Sequence, residues 1–150
     1  MPDNLSTLTG ETPMSIPFPS DAWVKALKDV LNADADYARI AAKWEGDIVF
    51  NVLPGGALAK PLILYMDLWH GKCRQAHELA DPSQKKAAFV LSATLPVFTR
   101  IIHGQLDAMQ AMMTGQLKVA GSMVYMMKNV PTVLRFVKCA TMVDTEFADG

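Results

Sequence analysis

The sequence predicts an α+β domain, one sheet with helices on one face, and three observations carry that reading. The hydrophobic period changes from helical to alternating at Asp47 and returns to helical near Pro96. Inside that window, three alternating segments are separated only by short turns, the pattern of a meander. The whole order (helices, three strands, a fourth strand, helices, a fifth strand, helices) also lacks the strand–helix alternation of a doubly wound parallel sheet.

Residues 1–19 carry Pro2, Pro13, Pro17 and Pro19 among Ser, Thr and Gly, so they are expected to form an extended or disordered arm. The domain proper is expected over 20–143. Ser20 is a good N-cap, and Asp21 places negative charge in a first helical turn whose apolar stripe is Trp23, Leu27, Val30 and Leu31. Asp34 or Asp36 starts a second helix with Tyr37, Ile40, Ala41 and Trp44 on one face, and Gly46 ends it.

Strands follow at Asp47–Leu53, Leu62–Trp69 and Lys72–Leu79, with turns at Pro54-Gly55-Gly56 and His70-Gly71. The third is the most polar and is expected at the sheet edge. In the second, Leu62, Leu64, Met66 and Leu68 face the core, while Ile63, Tyr65, Asp67 and Trp69 form the face expected to be solvated. Ala88–Thr94 is the fourth strand. Pro96 suits a first helical turn, with Leu95, Phe98, Ile101 and Ile102 on one side and Gly104 as the stop. A helix over Asp107–Thr114, a strand over Gln116–Ala120, a helix over Ser122–Asn129 and a last helix after the break at Pro131 complete the domain. The acidic tail, 144–150, is expected to fray.

The chain is 51% hydrophobic and only 19% charged, more apolar than a typical soluble domain. That excess fits a lined cavity, a buried homodimer face or a patch in transient contact with a membrane. A net charge of −1 argues against a nucleic-acid partner. Charge is nonetheless uneven: Arg100 to Met142 holds Arg100, Lys118, Lys128, Arg135 and Lys138 against Asp107 alone. A solvated helix face accounts for this, with a weak attraction to anionic head groups or carboxylates as the alternative. With two Cys and no secretory or peroxisomal signal, the expected location is cytoplasmic.

Sites of chemistry are scarce. On a strand Cys73 and His77 share a face but lie ~13 Å apart, too far for one ion, so no metal is expected. No nucleophile motif surrounds either Cys, and Cys139 reads as a small core residue. His103, before Gly104, suits a helix C-terminus better than a ligand head group. No cofactor and no catalytic residue is expected. The segment Leu106–Lys128 instead stands out, because it holds six of the ten Met. Met109 and Met113 share a stripe with Leu106, and Met123, Met126 and Met127 share one with Val130. Such side chains fill an ordinary core or line a wall that accepts more than one shape.

The run Ala93-Thr94-Leu95-Pro96-Val97-Phe98 through Ile102-His103-Gly104 to Gly115-Gln116-Leu117-Lys118-Val119-Ala120-Gly121-Ser122 resembles the sterol carrier protein 2 (SCP2) family. Trp44-Glu45-Gly46-Asp47 and Trp69-His70-Gly71-Lys72 resemble that family's first strand and hairpin. One departure is Ser122, where the family commonly has Asp. The resemblance implies a five-stranded mixed sheet, a three-strand meander plus two crossover strands, covered by helices over an apolar cavity and without catalytic residues. It turns the Met stripes into an expected Met-rich wall: Phe98, Ile101, Ile102, Met109, Met112, Met113, Met123, Met126, Met127 and Val130, with Leu134 and Val137 as a lid. Lys118, Lys128 or Arg135 is expected to meet a ligand carboxylate or phosphate at the mouth. The function implied is a carrier of sterol, fatty acyl or isoprenoid ligands. The other classes weighed are an accessory protein presenting a quinone precursor or acyl thioester to an enzyme, and a small enzyme on such a substrate.

Overall fold

A computed structural model of the protein describes residues 15–147. The N-terminal arm therefore lies outside it except for residues 15–19, and the tail except for 144–147. What is described of the two ends is paired. Strand β1 (Ile16–Phe18) runs parallel to β7 (Thr145–Phe147), with Ile16 opposite Thr145 and Phe18 opposite Phe147. Phe18 lies 4.6 Å from the Trp23 ring, and the Trp23 indole N–H donates to Thr145 Oγ1 at 2.8 Å. The expectation of a frayed tail is thus corrected for 145–147, because Phe147 and Thr145 have buried partners that a charge count does not reveal.

Helix α1 (Asp21–Ala33) starts as expected, with Ser20 Oγ accepting the Trp23 N–H at 3.0 Å. It buries Trp23, Val24, Leu27 and Leu31. Helix α2 (Ala35–Ile40) is shorter than its apolar spacing predicts. The chain leaves the helix at Ala41 because residues 44–46 join the sheet instead: His70 N–H donates to Trp44 O at 2.7 Å and Gly46 N–H to Leu68 O at 3.3 Å. Trp44 still ends up buried.

Strands β2 (Ile48–Leu53), β3 (Leu62–Trp69) and β4 (Lys72–Leu79) form the antiparallel meander. Strand β5 (Phe89–Thr94) joins the other side of β2 in parallel, and β6 (Lys118–Ala120) pairs antiparallel with β5. The order is β4-β3-β2-β5-β6, so β4 is at an edge. Between β5 and β6 lie α3 (Leu95–Ile102) and α4 (Ala108–Thr114); after β6 come α5 (Met123–Lys128) and α6 (Val130–Thr141), with Pro131 in the first turn of α6.

Two sheet expectations change. The face of β3 expected to be solvated carries a small second core in which Val49, Ile63, Tyr65 and Leu79 are buried and Ala87 and Val90 pack against them. The β4–β5 loop covers this face: Asp47 Oδ1 accepts the Ala88 N–H, Asp47 Oδ2 accepts the Tyr65 hydroxyl, both at 2.8 Å, and Lys85 Nζ sits 4.9 Å above the Tyr65 ring. Asp67 is held by the Arg74 guanidinium in a two-pronged pair at 3.0 and 3.1 Å. In β4, an extra residue between Ala76 (opposite Met66) and Cys73 (opposite Leu68) makes a bulge. The bulge sends Cys73 into the main core and leaves His77 against Tyr65, so the two no longer share a face.

One ion pair ties α6 to the α1–α2 junction. Arg135 Nη2 and Nε donate to Asp34 Oδ1 and Oδ2 at 2.7 and 2.8 Å, and Asp34 Oδ2 also accepts the Tyr37 N–H at 2.8 Å as the cap of α2. The Arg135 hydrogen bonds hold the Asp34 carboxyl well below the usual carboxylate range, helped by the Tyr37 N–H. A folded-state pKa below the unfolded one stabilises the fold above the ordinary carboxylate value, about 4, and this stabilisation fades as pH falls below it toward the lowered value. Asp34→Asn is therefore expected to lower the urea midpoint at about pH 7, with the gap to the native protein shrinking at about pH 3. An unchanged gap would show that the pair does not couple protonation to folding.

Candidate ligand-binding site

Helices α1, α3 and α6 and the inner face of the sheet do not close fully on one another. Between them lies an apolar cavity of about 90 Å³. The sheet contributes Ile48, Phe50, Val52, Leu64, Leu68 and Leu91, and α1 contributes Trp23, Val24 and Leu27. From α3 come Phe98, Ile101 and Ile102, and from α6 Val133, Phe136, Val137 and Ala140. These positions face inward for the reasons visible in their spacing: alternate residues of a strand, and i, i+3, i+4 of a helix. Phe50 stacks on Phe136 at 5.8 Å and meets Phe98 edge-on at 6.3 Å, which links sheet, α6 and α3 around the void. Phe50, Val133, Phe136 and Val137 are only half-buried although they line it, so the α6 side is where the cavity comes nearest to solvent.

Of the residues expected to form the wall and its lid, Phe98, Ile101, Ile102, Met112, Met126 and the lid residue Val137 line the cavity. Met109 is buried elsewhere in the core, and Met123 and Val130 are half-buried against it. Met113, Met127 and Leu134 point outward, 70%, 47% and 46% exposed. The cause is helical phase. Helix α4 buries Ala108, Met109, Ala111 and Met112, so the next residue, Met113, is rotated away. On α5 the fully buried position is Met126, with Met123 and Tyr125 half-buried against the core, and on α6 the inward set flanks Leu134 without including it. The wall is aromatic and aliphatic, with two Met, where a Met-rich one was expected. Trp23, Trp44, Phe50 and Phe136 are among the lining residues that sequence reasoning missed. The inward faces of Trp23, Trp44 and Phe50 were legible and that of Phe136 was not; that these faces meet across a void was not legible for any of them.

Polar chemistry at the site is sparse. Among the described residues Thr132 is the buried polar side chain, and its hydroxyl donates to Ile40 O at 3.4 Å. Burial pushes the Cys73 thiol up to about 12, and burial together with the adjacent Asp34 carboxylate does the same for Cys139. Both thiols therefore stay protonated near neutral pH and are poor nucleophiles. Burial likewise raises the Tyr37 hydroxyl well above its ordinary value. Arg135, expected at the mouth, is engaged by Asp34 and Asp36, and Lys118 and Lys128 are exposed and not part of the lining. His103 caps α3 and lies 4.0 Å from the Phe147 ring. Among the described residues no group of three His, Cys, Asp or Glu is placed to hold a metal, and no helix is long and apolar enough to cross a membrane. The arrangement can exclude water around an apolar guest, and among the described residues its lining contains no His, Asp, Glu, Lys or Arg.

Several solved structures share this architecture. The crystal structure of a sterol carrier protein 2 superposes with a TM-score of 0.76 at 29% identity, over 83% of this chain and 97% of that one. The solution structure of a conserved hypothetical protein from Thermus thermophilus gives 0.79 at 28% identity, over 91% and 97%. The apo form of sterol carrier protein 2 from Yarrowia lipolytica shares the fold, at 0.57 and 21% identity over 86% and 99%. No curated protein matches the sequence. Ser122, the one departure from the family's pattern, still caps α5 by accepting the Tyr125 N–H at 3.1 Å, as a carboxylate there would. The model of the SCP-2 sterol transfer family matches residues 25–133, which cover most of α1, all of α3, all five strands of the main sheet and the first turn of α6, and the chain belongs to that family.

Proposed function

We propose that the protein is a non-catalytic carrier that holds a lipid-like apolar molecule, of sterol, fatty acyl or isoprenoid type, between α6 and the sheet. The observation that carries this reading is the lining: an unfilled space walled by hydrophobic side chains, with Thr132 as its one aliphatic polar residue. Apolar cavities of this kind stay dry and accept apolar guests. Each methylene moved from water into such a site contributes about 0.8 kcal/mol. Ten of them contribute about 8 kcal/mol, the same order as the cost of immobilising the ligand, so long chains are retained and short ones are not. Membership of a sterol transfer family and 29% identity to a sterol carrier protein 2 support the same class of ligand. Free, buried Cys73 and Cys139 fit a reducing compartment, and a cytoplasmic location is part of the proposal.

A volume of about 90 Å³ is smaller than the ~300–1,000 Å³ of sites that enclose whole small molecules. Uptake therefore requires the wall to open. The half-buried Val133, Phe136 and Val137 make α6 the part that yields. Native mass spectrometry of protein purified from cells is expected to show a co-purified apolar ligand. Val137→Phe is expected to fill the void, keep or slightly raise the melting temperature, and reduce uptake of a fluorescent fatty acid at least tenfold, about 1.4 kcal/mol. Met113→Trp, on the exposed side of α4, is expected to leave uptake unchanged. Full uptake by Val137→Phe would overturn the assignment of the cavity.

A further inference from the structure

Helices α5 and α6 are apolar on two sides. Their inner side supplies Met126, Val133, Phe136, Val137 and Ala140 to the cavity. Their outer side carries Val124, Met127, Pro131, Leu134 and Met142, all exposed, with Val124 64% and Leu134 46% accessible. These positions follow one another at spacings of three, four, three and eight, with Lys138 exposed midway across the last gap. Such spacing puts Val124 and Met127 on one side of α5 and Pro131 and Leu134 on one side of α6, with Met142 at the α6 C-cap. Large apolar side chains scattered singly on a surface need no explanation, but a continuous stripe marks an interaction surface.

Charge says what covers it. From residue 108 to residue 143 the chain contains no Asp or Glu. Its cations there are Lys118, Lys128, Arg135 and Lys138. Arg135 is neutralised by Asp34 and Asp36, which leaves Lys128, four residues after Val124, and Lys138, four after Leu134, exposed beside the stripe. We infer that the outer face of α5–α6 docks on an anionic phospholipid surface, with the apolar stripe entering the head-group boundary and the two lysines meeting lipid phosphates. An interfacial helix of this kind combines apolar burial with lysine attraction to anionic head groups. A second copy of the chain is a poorer occupant, because a two-fold contact through this face brings the lysines of both copies together, while the carboxylates held against α6, Asp34 and Asp36, are already engaged by Arg135.

The inference does not rest on what the cavity holds. It does place the thin, half-buried wall formed by α6 against the membrane, where opening would expose the cavity to lipid and not to water.

Co-sedimentation with phosphatidylcholine vesicles, with and without phosphatidylglycerol, tests the assignment at low ionic strength. The native protein is expected to bind the phosphatidylglycerol vesicles and to leave the neutral ones largely unbound. Lys128→Gln/Lys138→Gln is expected to weaken that binding about thirtyfold. Met127→Gln/Leu134→Gln, at exposed positions that leave the core intact, is expected to weaken it at least as much while the thermal midpoint stays unchanged. Equal binding to neutral vesicles, unchanged binding by both variants, or a concentration-dependent dimer that Met127→Gln/Leu134→Gln dissolves would each overturn it. Vesicle-free uptake of the fluorescent fatty acid by both variants at the native level is the accompanying expected result, since the stripe faces away from the cavity.

Discussion

Replacing Trp44 by alanine is expected to cost about 3–5 kcal/mol of folding free energy, enough to leave a domain of ordinary stability (about 5–15 kcal/mol) barely folded. The residue joins four parts of the molecule. Its ring is buried and lines the cavity, 5.6 Å from Phe89 and 5.0 Å from Tyr125. The indole N–H donates to Gly46 O at 2.8 Å, and the backbone carbonyl accepts the His70 N–H that starts the β3–β4 turn. Alanine removes the largest apolar surface at this corner and leaves the Gly46 carbonyl without its donor. Truncation also extends the existing void, so neighbours cannot collapse to recover the loss. Urea denaturation gives the magnitude. A loss below about 2 kcal/mol would mean that the Phe89–Tyr125 corner repacks.

Gly121→Ala is expected to be nearly as damaging, by about 3 kcal/mol or more, for a backbone reason. Gly121 has φ +129°, and a Cβ there would lie 2.5 Å from Ala88 O and 2.6 Å from Phe89 Cδ1. The first is backbone held by β5 and by the Ala88 N–H bond to Asp47, so it cannot step aside. Relief requires moving the β6–α5 turn, which carries the Ser122 cap, Tyr125 and Met126. Tyr125 in turn accepts the Glu45 N–H at 2.9 Å, so the disturbance reaches the Trp44 corner. Gly115→Ala is the natural contrast: φ is +81°, but nothing lies within 4 Å of the added carbon. It is expected to cost about 1 kcal/mol, the left-handed backbone penalty alone. Similar losses for the two substitutions in thermal unfolding would show that the Ala88 contact yields.

The elements that the sequence made readable are those whose signal is local. Alternation in Leu62–Trp69, the His70-Gly71 turn, the Ser20 and Asp34 caps and the Pro96 helix start all report interactions within a few residues. All appear in the structure. Phase on short helices was harder. Helix α4 is seven residues long, under two turns, and Leu106, Met109, Met113 fits its apolar content as well as the stripe it uses, Ala108, Met109, Ala111, Met112. Small Ala residues take the inward positions where α4 packs closely, and a count of large side chains overlooks them. The face of β3 misread as solvated depends on a loop, 80–88, that returns across it from the far end of β4. Pairing of β1 with β7 joins residues 129 apart, and no periodicity within either strand anticipates it.

By itself the sequence determined the class of the fold, the succession of strands along the chain, the edge position of β4 and most helix starts, because each depends on side-chain period, capping and turn chemistry within a short window; the family was legible in the motif that runs to Gly115-Gln116-Leu117-Lys118-Val119-Ala120-Gly121. The tertiary structure decided which apolar faces meet and where they fail to close. It put aromatic rings from α1, β2 and α6 around the void, turned Met113 and Met127 of the expected wall and Leu134 of the expected lid outward, and committed Arg135 to Asp34. The physical reason is that a void is what remains when separately specified surfaces are brought together, and its shape depends on crossing angles and side-chain volumes that no single segment encodes.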